Sequence, residues 1–229
     1  MGHVELDRER FQLIISSHII TYGNGATPEI TERIRDEIET MWNEPQASVQ
    51  FKQATIRVIF KITASLQPQI QPIEIYQNVD PRNNYFRIEE FVYGNISFVD
   101  GLGSNSGYFK LENLYKASTT AAHEYGHTLG LDHPRFLDIR GEGTPGIMYP
   151  RGTLVDPSFQ YDPLKPAGVT GGTMHPMHRR VKQQDIEQLN LPRLKIENNV
   201  SIIGDFTNIY HLNHADIPPE NFTRPVILG

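Results

Sequence analysis

Between residues 123 and 133 the chain reads HEYGHTLGLDH. His123 and His127 are four residues apart, so a helix over this stretch sets both imidazoles on one face, about a turn from each other. Gly130 follows three residues later, where a glycine lets the backbone leave a helix through a left-handed conformation at little cost. The chain then turns back, and His133 can join the other two as a third ligand. Few folds accommodate that geometry, so the segment constrains the rest of the chain.

Three neutral imidazoles suit Zn²⁺ and leave its fourth position open, the arrangement of a catalytic and not a closed structural site. Zinc held in this way acidifies water and polarises a carbonyl. Glu124, next to the first imidazole, is expected to take the water's proton as general base and return it to a leaving amine, which makes amide hydrolysis the reaction class. His123, Glu124, His127, Gly130 and His133 would recur together by chance in a chain of this size with a probability on the order of 10⁻⁵. They are therefore read as a set.

The remaining composition narrows the alternatives. There are 21 basic and 27 acidic residues in 229, a net charge of −6, which leaves no electrostatic footprint for nucleic acid or an anionic membrane surface. Cysteine is missing altogether, so neither disulfides nor a cysteine-based zinc site enter. No apolar window reaches the length of a membrane span, and the N-terminal MGHVELDRERFQ has no apolar leader. Expectation is a monomer, soluble as given, whose compartment is open but leans to secreted or exported, either as a mature fragment or by a route that leaves no Sec-type signal.

Along the chain, residues 11–22 predict a buried strand closed by Gly23-Asn24-Gly25. Thr27 and Pro28 then start a helix with Ile30, Ile34, Ile38 and Met41 on one face, ended by Pro45. Further strands are expected at 54–64, 73–76, 85–93, 95–99 and 107–111, with 100–106 a loop. The motif helix should begin at Ser118 or Thr119. From His133 to Gly172 the Pro- and Gly-rich chain predicts irregular structure, 179–191 a helix stopped by Pro192, and 200–203 a short strand.

HEYGHTLGLDH matches the extended zinc signature of the metzincins, and GIMYP at 146–150 resembles their Met-turn, closest to its matrixin form. The resemblance implies an α+β, metzincin-like catalytic domain: a twisted, mostly parallel sheet with an antiparallel edge strand, the motif helix, the Met-turn and a C-terminal helix. That domain would span 1–192, with 193–229 as an extension packed on it. It further implies one catalytic zinc on His123, His127 and His133, Met148 as an apolar floor that does not bind the ion, and a polypeptide substrate. Tyr149 is not expected as a ligand. Matrixins also carry calcium and a structural zinc; the loop around Asp100 is similar to their metal-binding loop but lacks its histidines, so calcium stays an unsupported expectation. Pro134 and the long 151–178 segment depart from the matrixin pattern. An exported effector protease with one narrow target, or a zinc-retaining binding module without activity, are the rival readings.

Weaker candidates have blander explanations. The pairs His175/His178 and His211/His214 are expected to be solvent-exposed loop histidines, and Asp132 a turn aspartate. Tyr149 is expected to pack against the motif helix. Residues 107–111 are a candidate edge strand for an extended peptide, as such strands serve in metzincins.

Overall fold

A computed structural model describes residues 1–222. In chain order its elements are β1 (Gly2–Asp7), β2 (Gln12–Tyr22), α1 (Pro28–Asn43), β3 (Ser48–Phe51), β4 (Ala54–Leu66), α2 (Pro72–Tyr76), β5 (Asn83–Glu89), β6 (Phe98–Val99), β7 (Ser106–Lys110), α3 (Thr120–Thr128), α4 (Gln183–Gln188) and β8 (Val200–Ile203). It is a mixed α+β fold. No described helix is long and apolar enough to cross a membrane.

β2 organises the sheet. Its isoleucines 14, 15, 19 and 20 are buried although they point alternately to opposite faces, as in a strand covered on both sides. Along one edge β2 pairs in parallel with β4, from Gln12↔Arg57 to Thr21↔Leu66. The other edge is shared: Gln12 to Ser16 pair antiparallel with β1, and His18 to Tyr22 pair in parallel with β5. β5 continues in parallel to β7, and β6 closes that side antiparallel.

The sheet interior is thus parallel, but antiparallel pairing is wider than a single edge strand. β3 is a second antiparallel edge, folded onto β4 by a turn at Lys52 too short for the crossover that parallel strands need. β1 and β8 add an antiparallel ladder. β1 was not anticipated from the sequence: GHVELD is a short alternating strand that buries Val4 and Leu6.

α1 begins as expected, with Thr27 Oγ1 accepting the Ile30 N–H at 3.2 Å. It packs on β4 and β2 through Ile34 and Ile38, and Trp42 completes the buried stripe where Met41 was expected. These side chains join Ile15, Phe60, Phe86 and Ile186 in the main core.

Several expected elements change. Residues 73–76 form the short helix α2 and not a strand, because Pro72 presets the first helical φ and the Glu74 carboxylate accepts the Gln71 N–H at 2.7 Å. The strand expected over 85–93 stops at Glu89, opposite Lys110 where its partner β7 ends. Residues 95–99 keep only Phe98–Val99 as strand, since Gly94 and Asn95 both have positive φ. The helix expected over 179–191 is confined to α4: Asp185 accepts the Lys182 N–H at 2.7 Å to start it there, and Asn190 leaves it in a left-handed conformation. Arg179 consequently lies on extended chain.

The segment read as irregular has a small core of its own, Ile139, Val155 and Met174, with Tyr149 and Phe159 against it. Past α4, residues 204–214 return across the open end of β7. Buried Asn105 holds them, its Oδ1 accepting the N–H groups of Thr207 and Asn208 at 3.1 and 2.9 Å.

Candidate metal centre

α3 is buried on every side. Its first turn is satisfied by side chains from outside the helix: Ser118 Oγ accepts the Thr120 N–H at 3.2 Å, and the α1 carboxylate of Glu37 accepts the Ala122 N–H at 3.1 Å. Trp42 donates its indole N–H to the Ala122 carbonyl at 3.0 Å and meets Tyr125 edge-on. Beneath the helix Met148 is almost fully buried against Gly126. A Cβ on Gly126 would come within 2.3 Å of the Met148 sulfur, so glycine is what lets the two segments touch.

Gly130 ends the helix at φ +93°, and nothing approaches the space a Cβ would occupy there. The requirement is therefore one of backbone conformation. Gly130 donates to the His127 carbonyl at 3.0 Å and Leu131 to the Gly126 carbonyl at 3.1 Å, which fixes the reversal. Asp132 is a turn residue as expected, its Oδ1 accepting the His133 N–H at 2.7 Å.

The three imidazoles converge. His123 Nδ1 lies 2.7 Å from the Ile147 carbonyl, and His127 Nδ1 lies 2.7 Å from the Leu131 carbonyl. A carbonyl only accepts, so both Nδ1 atoms carry the proton and both Nε2 atoms present bare lone pairs. Each of those Nε2 atoms is 3.1 Å from His133 Nε2. A single proton on His133 cannot serve both neighbours, whereas one cation between the three satisfies all of them. The donor set accordingly fits a metal ion such as zinc, which takes neutral imidazoles: a carbonyl stands behind His123 and His127, while His133 Nδ1 is buried without a partner among the described residues. Burial works in the same direction: it holds His123 well below its ordinary range and His133 down to about 4, so the rings stay neutral and available.

Glu124 faces the same cleft, lined also by Val99, Leu102, Thr120, Pro150 and two arginines, 151 and 179. Burial pushes its carboxyl up to about 8, against the opposing fields of Arg179 and Arg151. Neither arginine was singled out from the sequence. Arg179 sits in RRVKQQ, which resembles the basic start of a solvated helix, but the helix begins only after Lys182 and leaves Arg179 on the extended chain before it.

Other expected sites fall elsewhere. Tyr149 packs on Ile139, Val155 and Met174. β7, which covers 107–110 of the expected edge strand 107–111, is paired on both sides, and the terminal strand is β6. His175 and His178 are half-buried beside Tyr161 and Phe159. His211 and His214 are not exposed: His211 pairs with Asp100 at 2.9 Å, and His214 stacks on Tyr108 at 3.9 Å. Among the described residues His123, His127 and His133 form the one group able to hold a metal.

No family model and no curated protein matches the chain. Among solved structures it is similar to the archaemetzincin of Methanopyrus kandleri, at 13% identity over 77% of this chain and 95% of that one, with a TM-score of 0.36.

Proposed function

We propose that the chain is a zinc-dependent endopeptidase of metzincin type that uses Glu124 as general base. The observation that carries this reading is the convergence of three Nε2 atoms, two with their lone pairs bared by carbonyl contacts, beside a buried carboxylate in an open cleft. His123, His127 and His133 would hold the ion. When bound, zinc polarises a substrate carbonyl and makes water a stronger acid. Glu124 then receives the proton of the attacking water and passes it to the leaving amine. Its burial raises the basicity of the carboxylate, the direction a proton acceptor requires, and a cation on the three imidazoles would favour its ionised form.

Two further features support the reading. Ile96 to Val99 line the cleft and include β6, the terminal strand of the sheet, whose backbone groups are suited to align an extended peptide beside the reacting centre. Met148 packs under the helix against Gly126, which supports the Met-turn reading. A structural zinc module would call for a fourth protein ligand, and among the described residues none joins the triad.

Cleavage-site profiling of zinc-loaded protein on a proteome-derived peptide library tests the proposal, with Glu124→Ala as control. Wild type should cut peptide bonds, and the variant should be slower by about 10²–10⁴-fold. Equal activity in the two proteins would exclude Glu124 as the base.

A further inference from the structure

Arg179 is only 4% exposed, yet it lines the cleft. Among the described residues its Nε has no hydrogen-bond partner, and no carboxylate forms an ion pair with it. A largely buried guanidinium whose Nε lacks a partner is costly, and a matching anion recovers that cost through charge-assisted, two-point hydrogen bonds.

The backbone around Arg179 is tethered. Thr119, held at φ +59° where β-branched residues are rarely found, donates its hydroxyl to the Pro176 carbonyl at 2.8 Å. Arg179 N–H donates to the same carbonyl at 3.0 Å, and Arg180 N–H to the Pro145 carbonyl at 3.0 Å. The residue that caps the motif helix and the chain at Pro145 thus fix the backbone from which the guanidinium projects.

Arg151 supplies a second positive charge to the cleft, steadied by a 2.9 Å hydrogen bond to Asn113 Oδ1. Glu124 is the one acidic residue in the lining, and it is committed to the metal centre. The cavity, about 180 Å³, has room for a side chain or a chain end.

We propose that this cleft is an anion subsite, in which Arg179, with Arg151 beside it, binds a substrate carboxylate next to the cleaved bond. The carboxylate comes either from an Asp or Glu side chain or from the free C-terminus of a short peptide. This inference rests on the peptidase reading and adds to it the charge of the substrate.

The test uses matched fluorogenic peptides built on a site found by the library. One pair differs by Glu against Gln at the position beside the cut, with both ends blocked. A second pair ends just past the cut as a free acid or an amide. Wild type should favour the carboxylate member of one pair by about 10- to 100-fold in kcat/KM, and which pair responds identifies the source. In Arg179→Gln that ratio should fall to about 1, and Arg179→Lys should keep part of it because the charge survives without the fork. A wild-type ratio near 1 in both pairs overturns the inference while leaving the peptidase reading intact. So does an Arg179→Gln protein that loses activity on all four peptides equally and keeps the ratio. If Arg179→Gln does not fold, Arg151→Gln and Arg179→Lys carry the comparison, and a ratio unchanged in both counts against the subsite. If wild type cuts no peptide, the peptidase reading fails, and calorimetric titration of the zinc-loaded Glu124→Ala protein with short peptides of one arbitrary sequence, matched as Glu against Gln with blocked ends and as free acid against amide, decides the subsite separately. Binding of a carboxylate member about 10-fold tighter than its neutral partner supports it, and equal binding overturns it.

Discussion

His133 joins His123 and His127 because Gly130 adopts φ +93°, and the two glycines of the motif region do different work. At Gly130 a Cβ meets no neighbour, so Gly130→Ala should cost about 1–2 kcal/mol of conformational strain and move His133 with it. Thermal melts with and without zinc should reveal lower stability together with weaker metal binding. At Gly126 the backbone is ordinary helix, where alanine would gain about 1 kcal/mol by propensity. The 2.3 Å approach to the Met148 sulfur reverses the sign, and Gly126→Ala should destabilise by about 1–3 kcal/mol. Trimming Met148 to Ala in the same protein should return part of that loss, read from a double-mutant cycle by denaturant unfolding. Of the candidate site, the three histidines, Glu124 and Gly130 were legible because their spacing is local, and Met148 only through the resemblance of GIMYP to a Met-turn. Gly126 and Arg179 were not, since each is defined by a neighbour distant in sequence: Met148 for one, and the cleft wall opposite Glu124 for the other.

At the scale of elements, the strands and helices with strong local signals, β2, α1 and β4, form as their sequences predict. The exceptions are short pieces in which one hydrogen bond or one proline decides, as at Pro72 and Lys182. The C-terminal segment illustrates the same limit. YHLNH looks like a solvated pair of histidines, but Asp100 and Tyr108 enclose them from more than a hundred residues away. His214 Nδ1 accepts the Tyr93 N–H at 3.2 Å, which requires a neutral ring, and burial lowers its pKa to about 4. The unfolded chain therefore binds this proton first as pH falls. Above about 6.5 the group contributes no slope; between about 6.5 and 4 stability should drop with falling pH as His214 opposes protonation in the fold. Denaturant unfolding at pH 7 and pH 5 should show a smaller acid loss for His214→Gln than for wild type. An identical loss in both would mean that His214 is not held neutral.

For the molecule as a whole, the sheet and α1 form one face of the core, and the candidate metal centre ties α3 to the turn at Leu131 and to Ile147 beside Met148. Most of that core contains no histidine, so chelation should leave a cooperatively folded chain with a lower melting temperature. Zinc at about 1,000 times its dissociation constant should restore about 4 kcal/mol by mass action. The central claim is that three imidazoles hold a single ion, and the most direct test is the metal content of purified wild-type, Glu124→Ala and His133→Ala proteins by mass spectrometry after zinc loading and desalting. About one zinc per chain is expected in the first two and near none in the third. A zinc-free wild type, or a His133→Ala protein as full as wild type, would contradict it.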